Sequence, residues 1–431
     1  MYRKITEYLN DWKNSKYRKP LILQGARQVG KTYSILEFGR QNYENVAYFN
    51  FETNKDLSTT FDESINPEYL IPVLSRISGI TITKKSTLIV FDEVQLCERA
   101  LTSLKYFCEN ANDYHIIVAG SLLGVAVNRE KFSFPVGKVD IKTLHPMDLE
   151  EFMLALGEDE LVNMIKMSYK NCEAIPKVFH EAASMLYKQY LIVGGMPECV
   201  DKFAETHDYV LVRHTQDVIL ESYLNDMSKY NVKNEIKKTR LVYDNATVQL
   251  SKKNTRFQYK LIKKGARASE FENAIEWLSL SGIISQVYKT EQIMKPLDNY
   301  RDIDSFKIYV SDLGLLCAKK DVIPDDILYM ISDIDDFKGG MTENFVNIQL
   351  INNEYKTYYW ESEGKAEIDF VIQKLGKLIP IEVKSSENTR SKSLSTYIKK
   401  YNPDYAIKLS SKNFSYSDKV KNIPLYATFC I

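Results

Sequence analysis

Between residues 20 and 145, short apolar runs alternate with stretches of helical period. The runs are PLILQ (20–24), VAYFNFE (46–52), TLIVFDE (87–93) and HIIVAGS (115–121). Each is nearly continuous in apolar residues, so both faces of each strand are predicted to be covered. That pattern predicts an α/β fold with a parallel sheet between helices, and a first domain over 1–155. Residues 180–225 are helical in period, broken at Gly194–Gly195–Met196–Pro197. In ASEFENAIEWLSLSGIISQVYK (268–289), Ala274, Ile275, Leu278 and Leu280 share a helix face, Gly282 stops the helix, and a strand follows. FKIYVSD (306–312) adds another strand, and helices followed by such a hairpin predict a winged-helix-like middle domain over 156–325. From 340 onward come a helix (TENFVNIQL), strands near YYW, EIDFVIQ and LIPIEVK, a helix near SLSTYIKKY, then YAIKLS and LYATFC. These predict a small second α/β unit over 326–431.

A chain of 431 residues is too long for one ordinary core, which agrees with this division. Hydrophobic content of 44% and charged content of 26% suit a soluble globular protein. Lys+Arg and Asp+Glu both total 57, so net charge carries no information about partners, but its distribution does. Ser228–Arg267 holds twelve Lys/Arg against Glu235 and Asp244, interleaved with Tyr230, Tyr243, Phe257 and Tyr259. Arg390–Lys421 is also basic, whereas Asp321–Asp336 is acidic. Such asymmetry points to a polyanion-facing surface, with DNA as the expected partner. The first residues, MYRKITEYLNDW, contain no apolar leader segment, and no 18-residue apolar run occurs, so no membrane is expected. The six scattered cysteines have no C-x-x-C pair and read as reduced thiols of a cytoplasmic protein.

Chemistry enters at GARQVGKT (25–32), which follows an apolar strand and opens a helix-forming run. This is the P-loop pattern G-x-x-x-x-G-K-[ST]. Gly25 and Gly30 let the backbone curl, so that N–H groups across Gly25, Ala26, Arg27, Gln28, Val29, Gly30, Lys31, Thr32 and Tyr33 cradle the phosphates of ATP. Lys31 supplies a charge to the β- and γ-phosphates, and Thr32 a hydroxyl to Mg²⁺. TLIVFDE places Asp92 at the sheet's C-terminal edge, where it would hold the Mg²⁺ shell, with Glu93 as general base toward water. Ser121, at the end of HIIVAGS, stands where a sensor of the γ-phosphate would sit; the alternative is a helix-capping serine.

Taken with Val94–Gln95, Gly120–Ser121 and HPMDLEEF (145–152), these motifs resemble a prokaryotic AAA+-related ATPase family whose members often carry a C-terminal domain of unknown function. The resemblance continues through Gly194–Gly195–Met196–Pro197, SDLGLL (311–316) and EIDFVI…IPIEVK (367–384). Many relatives have Gly-Arg where this chain has Gly137–Lys138, and lysine lacks the planar fork of arginine. Slow hydrolysis in a nucleotide-dependent switch is therefore expected, unless Arg213 or Arg240 supplies a finger. Glu343, Asp369, Glu382 and Lys384 match the order of the PD-(D/E)xK nuclease-like fold, which the family's C-terminal domain also resembles. In that reading Glu343, Asp369 and Glu382 bind Mg²⁺ and Lys384 activates water, with Glu367 as an alternative ligand. The competing reading is a nucleotide-gated scaffold for a protein partner with a non-catalytic C-terminal domain. Small-molecule kinase chemistry finds no acceptor-binding signature, and a homo-oligomer is compatible with everything above.

Overall fold

The computed structural model describes residues 1–54, 56–120, 134–230, 233–250, 256–329, 335–362, 366–385 and 392–431. The chain forms two compact units: Tyr2–His145 with Leu280–Gly282, and Met1, Pro146–Ser279 with Ile283–Ile431.

In the first unit, helix α1 (Ile5–Asn14) precedes β1 (Leu21–Gln24), α2 (Lys31–Asn42) and β2 (Asn45–Asn50). Then come α3 (Leu57–Glu63), α4 (Pro67–Ser78), β3 (Thr87–Asp92), α5 (Glu98–Asn110), β4 (His115–Gly120) and β5 (Asp140–Thr143). The five strands are parallel in the order β2-β3-β4-β1-β5, so β4 separates the P-loop strand from the Asp92 strand. All residues of β3 and β4 are buried, as their unbroken apolar runs require. Phe49, Phe51, Phe61 and Phe91 fill one face of this sheet, with Phe61 edge-on to Phe91 at 5.5 Å between ring centres. The polar β5, DIKT, was absent from the expected strands because it has no apolar run; its pairing with β1 creates it.

The second unit begins with helices α6 (Leu149–Ala155), α7 (Asp159–Asn171), α8 (Lys177–Val193), α9 (Pro197–Thr206), α10 (Tyr209–Tyr230) and α11 (Lys233–Gln249). After α12 (Glu272–Leu280) come the strands β6 (Ile284–Thr290) and β7 (Arg301–Val310), then α13 (Leu313–Lys319), α14 (Pro324–Leu328) and α15 (Asp335–Asn352). The remaining elements are β8 (Tyr358–Ser362), β9 (Ala366–Lys374), β10 (Lys377–Val383), α16 (Lys392–Tyr401), β11 (Ala406–Ser410), β12 (Ser415–Ser417) and β13 (Val420–Pro424). Eight strands make one sheet in the order β12-β13-β11-β10-β9-β8-β6-β7. The hairpin expected as the wing of a separate middle domain is therefore not free-standing. Its β6 runs parallel to β8, which makes it the edge of the C-terminal sheet. LYATFC, to which the pattern assigns no element type, is a 3₁₀ helix at Leu425–Cys430, its apolar residues Leu425, Tyr426, Ala427 and Phe429 buried. A short apolar run does not distinguish a strand from a buried helical turn.

Candidate nucleotide site and C-terminal carboxylate cluster

In the parallel sheet of the first unit every strand ends at one edge, and there Gln24–Gly25, Asn50, Asp92, Gly120 and Thr143 collect. The loop after β1 has Gln28 at φ 63° and Gly30 at φ 88°, both left-handed, and α2 starts directly from Gly30. Gly25 stands at φ 147°, and a Cβ there would lie 2.1 Å from the Leu144 carbonyl oxygen. No other residue fits that position. Lys31 is only 7% exposed, and its ammonium donates to the carbonyls of Gly25 (3.0 Å) and Ala26 (2.7 Å).

Thr32 Oγ1 donates to Asp92 Oδ2 at 2.9 Å, so the hydroxyl and carboxylate expected to share Mg²⁺ are neighbours. Asp92 is 5% exposed, and its other oxygen accepts the Glu93 N–H at 3.0 Å. Tyr48 adds a partner that the sequence did not reveal. Its hydroxyl donates to Asp92 Oδ2 at 2.7 Å and accepts from Asn50 Nδ2 at 3.2 Å. Burial, followed by the neighbouring carboxylates, pushes its phenol up to about 12, so it stays a donor. Its signal was strand alternation, which places Tyr48 and Asn50 on one face, but only the β2–β3 pairing sets that face beside Asp92. Glu93 adopts the left-handed conformation (φ 52°), with its carboxylate against the Gln95 amide. Lys138 forms an ion pair with Glu109 of α5 at 2.9 Å. Ser121 lies outside the described residues. Arg213 donates to the Val322 carbonyl and Arg240 to Ser228 Oγ, both within the second unit.

The loop geometry, Lys31 and the Thr32–Asp92 pair on this strand order define a P-loop nucleotide-binding domain of the AAA type. One family model agrees. Residues 17–153 match the family model described as an AAA domain. Residues 184–326 and 338–428 match models described as domains of unknown function, DUF8612 and DUF4143. No curated protein matches the chain. Among solved structures it is similar to the Walker-type ATPase of Pyrococcus abyssi, at 13% identity over 73% of this chain and 94% of that one (TM-score 0.44). It is also similar to the ORC2 protein of Aeropyrum pernix, at 10% identity over 75% and 91% of the two chains (TM-score 0.35). The RuvB Holliday junction branch migration motor of Thermotoga maritima matches at 11% identity over 68% and 90% (TM-score 0.29).

In the second unit, β9 and β10 bring Asp369, Glu382 and Lys384 together. Asp369 Oδ2 accepts the Val383 N–H at 2.7 Å, and Lys384 Nζ lies 2.6 Å from Glu382 Oε1. Glu382 Oε2 is buried without a hydrogen-bond partner among the described residues. Burial, then the proximity of Glu343 and Glu382, pushes the Asp369 carboxyl well above the ordinary carboxylate range. Glu343 is engaged from β7. It is held by Tyr309 Oη at 2.9 Å and Lys307 Nζ at 3.3 Å, and Lys307 also pairs with Glu367 at 2.5 Å. Lys307 is 1% exposed; burial favours its neutral form, but Glu343, Tyr309, Glu367 and Asp369 together outweigh that and keep it charged.

Among the described residues, no group of three or more His, Cys, Asp or Glu side chains is arranged to hold a metal ion. A buried lysine on β7, an element that the sequence assigned to a different domain, pairs with two of the nearby carboxylates. Of the aromatics interleaved with the basic segment, Tyr243 and Phe257 are buried, Phe257 stacking on Phe306. Among the described residues no helix is long and apolar enough to cross a membrane.

Proposed function

We propose that this chain is a cytoplasmic, Mg·ATP-dependent switch that hydrolyses ATP slowly and acts on DNA. The observation that carries the reading is the Thr32–Asp92 pair at 2.9 Å beside a preformed loop. A hydroxyl and a carboxylate in contact are the hard-oxygen donors that Mg²⁺ selects when a nucleotide supplies the other ligands. Bound Mg²⁺ would neutralise charge developing on the phosphate oxygens. Lys31, now on the carbonyls of Gly25 and Ala26, would exchange them for phosphate oxygens. Glu93 would leave Gln95 to take a proton from water. Lys138 is engaged by Glu109 and offers no arginine fork, which supports slow turnover.

The DNA contact is the run of exposed basic residues Lys237, Arg240, Arg256, Lys260, Lys263, Lys264 and Arg267. The C-terminal cluster serves as a charge-balanced scaffold and not as a cleaving centre, because Lys307 and Lys384 engage the carboxylates a metal would need. One experiment tests the whole reading: ATP turnover with Mg²⁺, with and without duplex DNA at two salt concentrations, and a gel for cleavage. Turnover lost in Lys31→Ala, DNA affinity falling steeply with salt and intact DNA are expected. Normal turnover by Lys31→Ala would refute the switch. Salt-insensitive DNA binding would refute the basic contact, and cleavage abolished by Asp369→Ala would refute the silent scaffold.

A further inference from the structure

We infer that Arg3, ahead of α1, is a positioning residue for the nucleotide, setting the direction of a phosphate-binding N–H without touching the ligand; this rests on the P-loop reading above. Nothing in the local sequence marks it, since Arg3 looks like an ordinary charge at the start of an amphipathic helix. In the fold it is 5% exposed. Its Nη1 donates to the Val29 carbonyl at 2.9 Å and its Nη2 to the His145 carbonyl at 2.8 Å. A guanidinium is suited to this because its N–H groups diverge in a fixed plane and reach two separate acceptors.

Val29 lies between two left-handed residues, Gln28 and Gly30. A trans peptide is planar, so its C=O and the following N–H point in opposite directions. Holding the Val29 carbonyl on Arg3 therefore turns the Gly30 N–H away from Arg3, and with it the left-handed turn from which α2 departs. Such consecutive N–H groups form the anion-binding concavity of a P-loop. The His145 contact fixes the other end. His145 follows Leu144, whose N–H donates to the Gln24 carbonyl at 2.8 Å and whose carbonyl leaves no room for a side chain on Gly25. Gln24, Val29 and the exit of β5 are thus joined in one ring through Arg3. The imidazole of His145 is lowered to about 4, chiefly by burial and then by Lys142 and Arg3, so it stays neutral beside the guanidinium.

The test uses the full chain and mant-ADP with Mg²⁺, comparing wild type, Arg3→Gln, Arg3→Lys and Leu9→Ala, each with a thermal midpoint. Leu9→Ala disturbs the buried face of the same helix and removes no hydrogen bond to the loop. Losing bonds from a charged donor should raise the mant-ADP Kd of Arg3→Gln by about 10-fold or more. KM for ATP should rise in step, with kcat changed by less than about 2-fold, since Arg3 orients binding and does no chemistry. Arg3→Lys should fall between, because an ammonium retains one carbonyl, and it carries the comparison if Arg3→Gln does not fold. Leu9→Ala should lower the midpoint yet leave Kd within about 2-fold. Equal Kd for wild type and the Arg3 variants would overturn the inference, as would a Leu9→Ala shift in Kd matching theirs. A wild-type chain that does not bind mant-ADP would overturn the P-loop reading as well, and so is a distinct result.

Discussion

Replacing Asp312 by alanine removes a carboxylate that binds two segments of the second unit. Asp312 caps α13 through the Leu315 N–H at 2.8 Å and accepts the Gly195 N–H at 2.6 Å, across 117 residues of chain. The N–H groups of Gly314 and Met196 also bond to it. This explains Gly194–Gly195–Met196–Pro197 and SDLGLL, motifs with no evident chemistry. A Cβ on Gly194 would meet Asp312 Oδ1 at 2.3 Å, and one on Gly195 would meet the Met147 carbonyl at 2.0 Å. Loss of a helix cap costs about 1 kcal/mol. Loss of a charge-assisted bond, leaving a buried N–H unpaired, adds about 1.5–3 kcal/mol. Asp312→Ala should therefore lose roughly 2.5–4 kcal/mol, measured by urea unfolding and by amide exchange in peptides covering 190–200 and 311–320.

The effect should also depend on pH. Burial raises the Asp312 carboxyl from 3.8 to about 6 against the opposing pull of its four backbone N–H bonds. A group whose folded-state pKa is raised stabilises the fold fully below its unfolded value, and that contribution is lost as pH rises through the folded one. The wild-type advantage over Asp312→Ala should thus be larger at pH 4 than at pH 7.5, by ~3 kcal/mol at most. A difference below about 1 kcal/mol at both pH values, with unchanged exchange in the two peptides, would refute the reasoning.

Other perturbations probe the two sites. Gly25→Ala should abolish mant-ADP binding in a fluorescence titration, because the new methyl cannot share space with the Leu144 carbonyl. Lys307→Met leaves Glu343 and Glu367 without their cation and should lower unfolding free energy by about 3 kcal/mol; an unchanged urea midpoint would count against the charge-balanced cluster. Joint replacement of Lys263, Lys264 and Arg267 by alanine should reduce the slope of log Kd for duplex DNA against log salt by roughly 2–3, and an unaltered slope would place the contact elsewhere.

Much of the first unit was legible because its signals are contiguous. Unbroken apolar runs forced a buried parallel sheet, and GARQVGKT and TLIVFDE each carry their chemistry within a few residues. Asp369, Glu382 and Lys384 are likewise close in sequence, two strand residues apart or one hairpin apart. What local pattern determined, the structure places at the strand ends where those patterns put it.

Tertiary structure decided the rest, wherever an interaction joins segments far apart in sequence. Tyr48 reaches Asp92 only because β2 pairs with β3, and Arg3 reaches Val29 only because α1 lies against the loop. Lys307 enters the carboxylate cluster because the β6–β7 hairpin joins the C-terminal sheet, and there it pairs with Glu343 and Glu367. Distant contacts like these depend on shape and charge complementarity between whole elements, which no window of sequence contains. The sequence alone therefore determined the loop and strand that form the candidate nucleotide site, while only the folded arrangement decided which buried cations hold the loop and which hold the carboxylates.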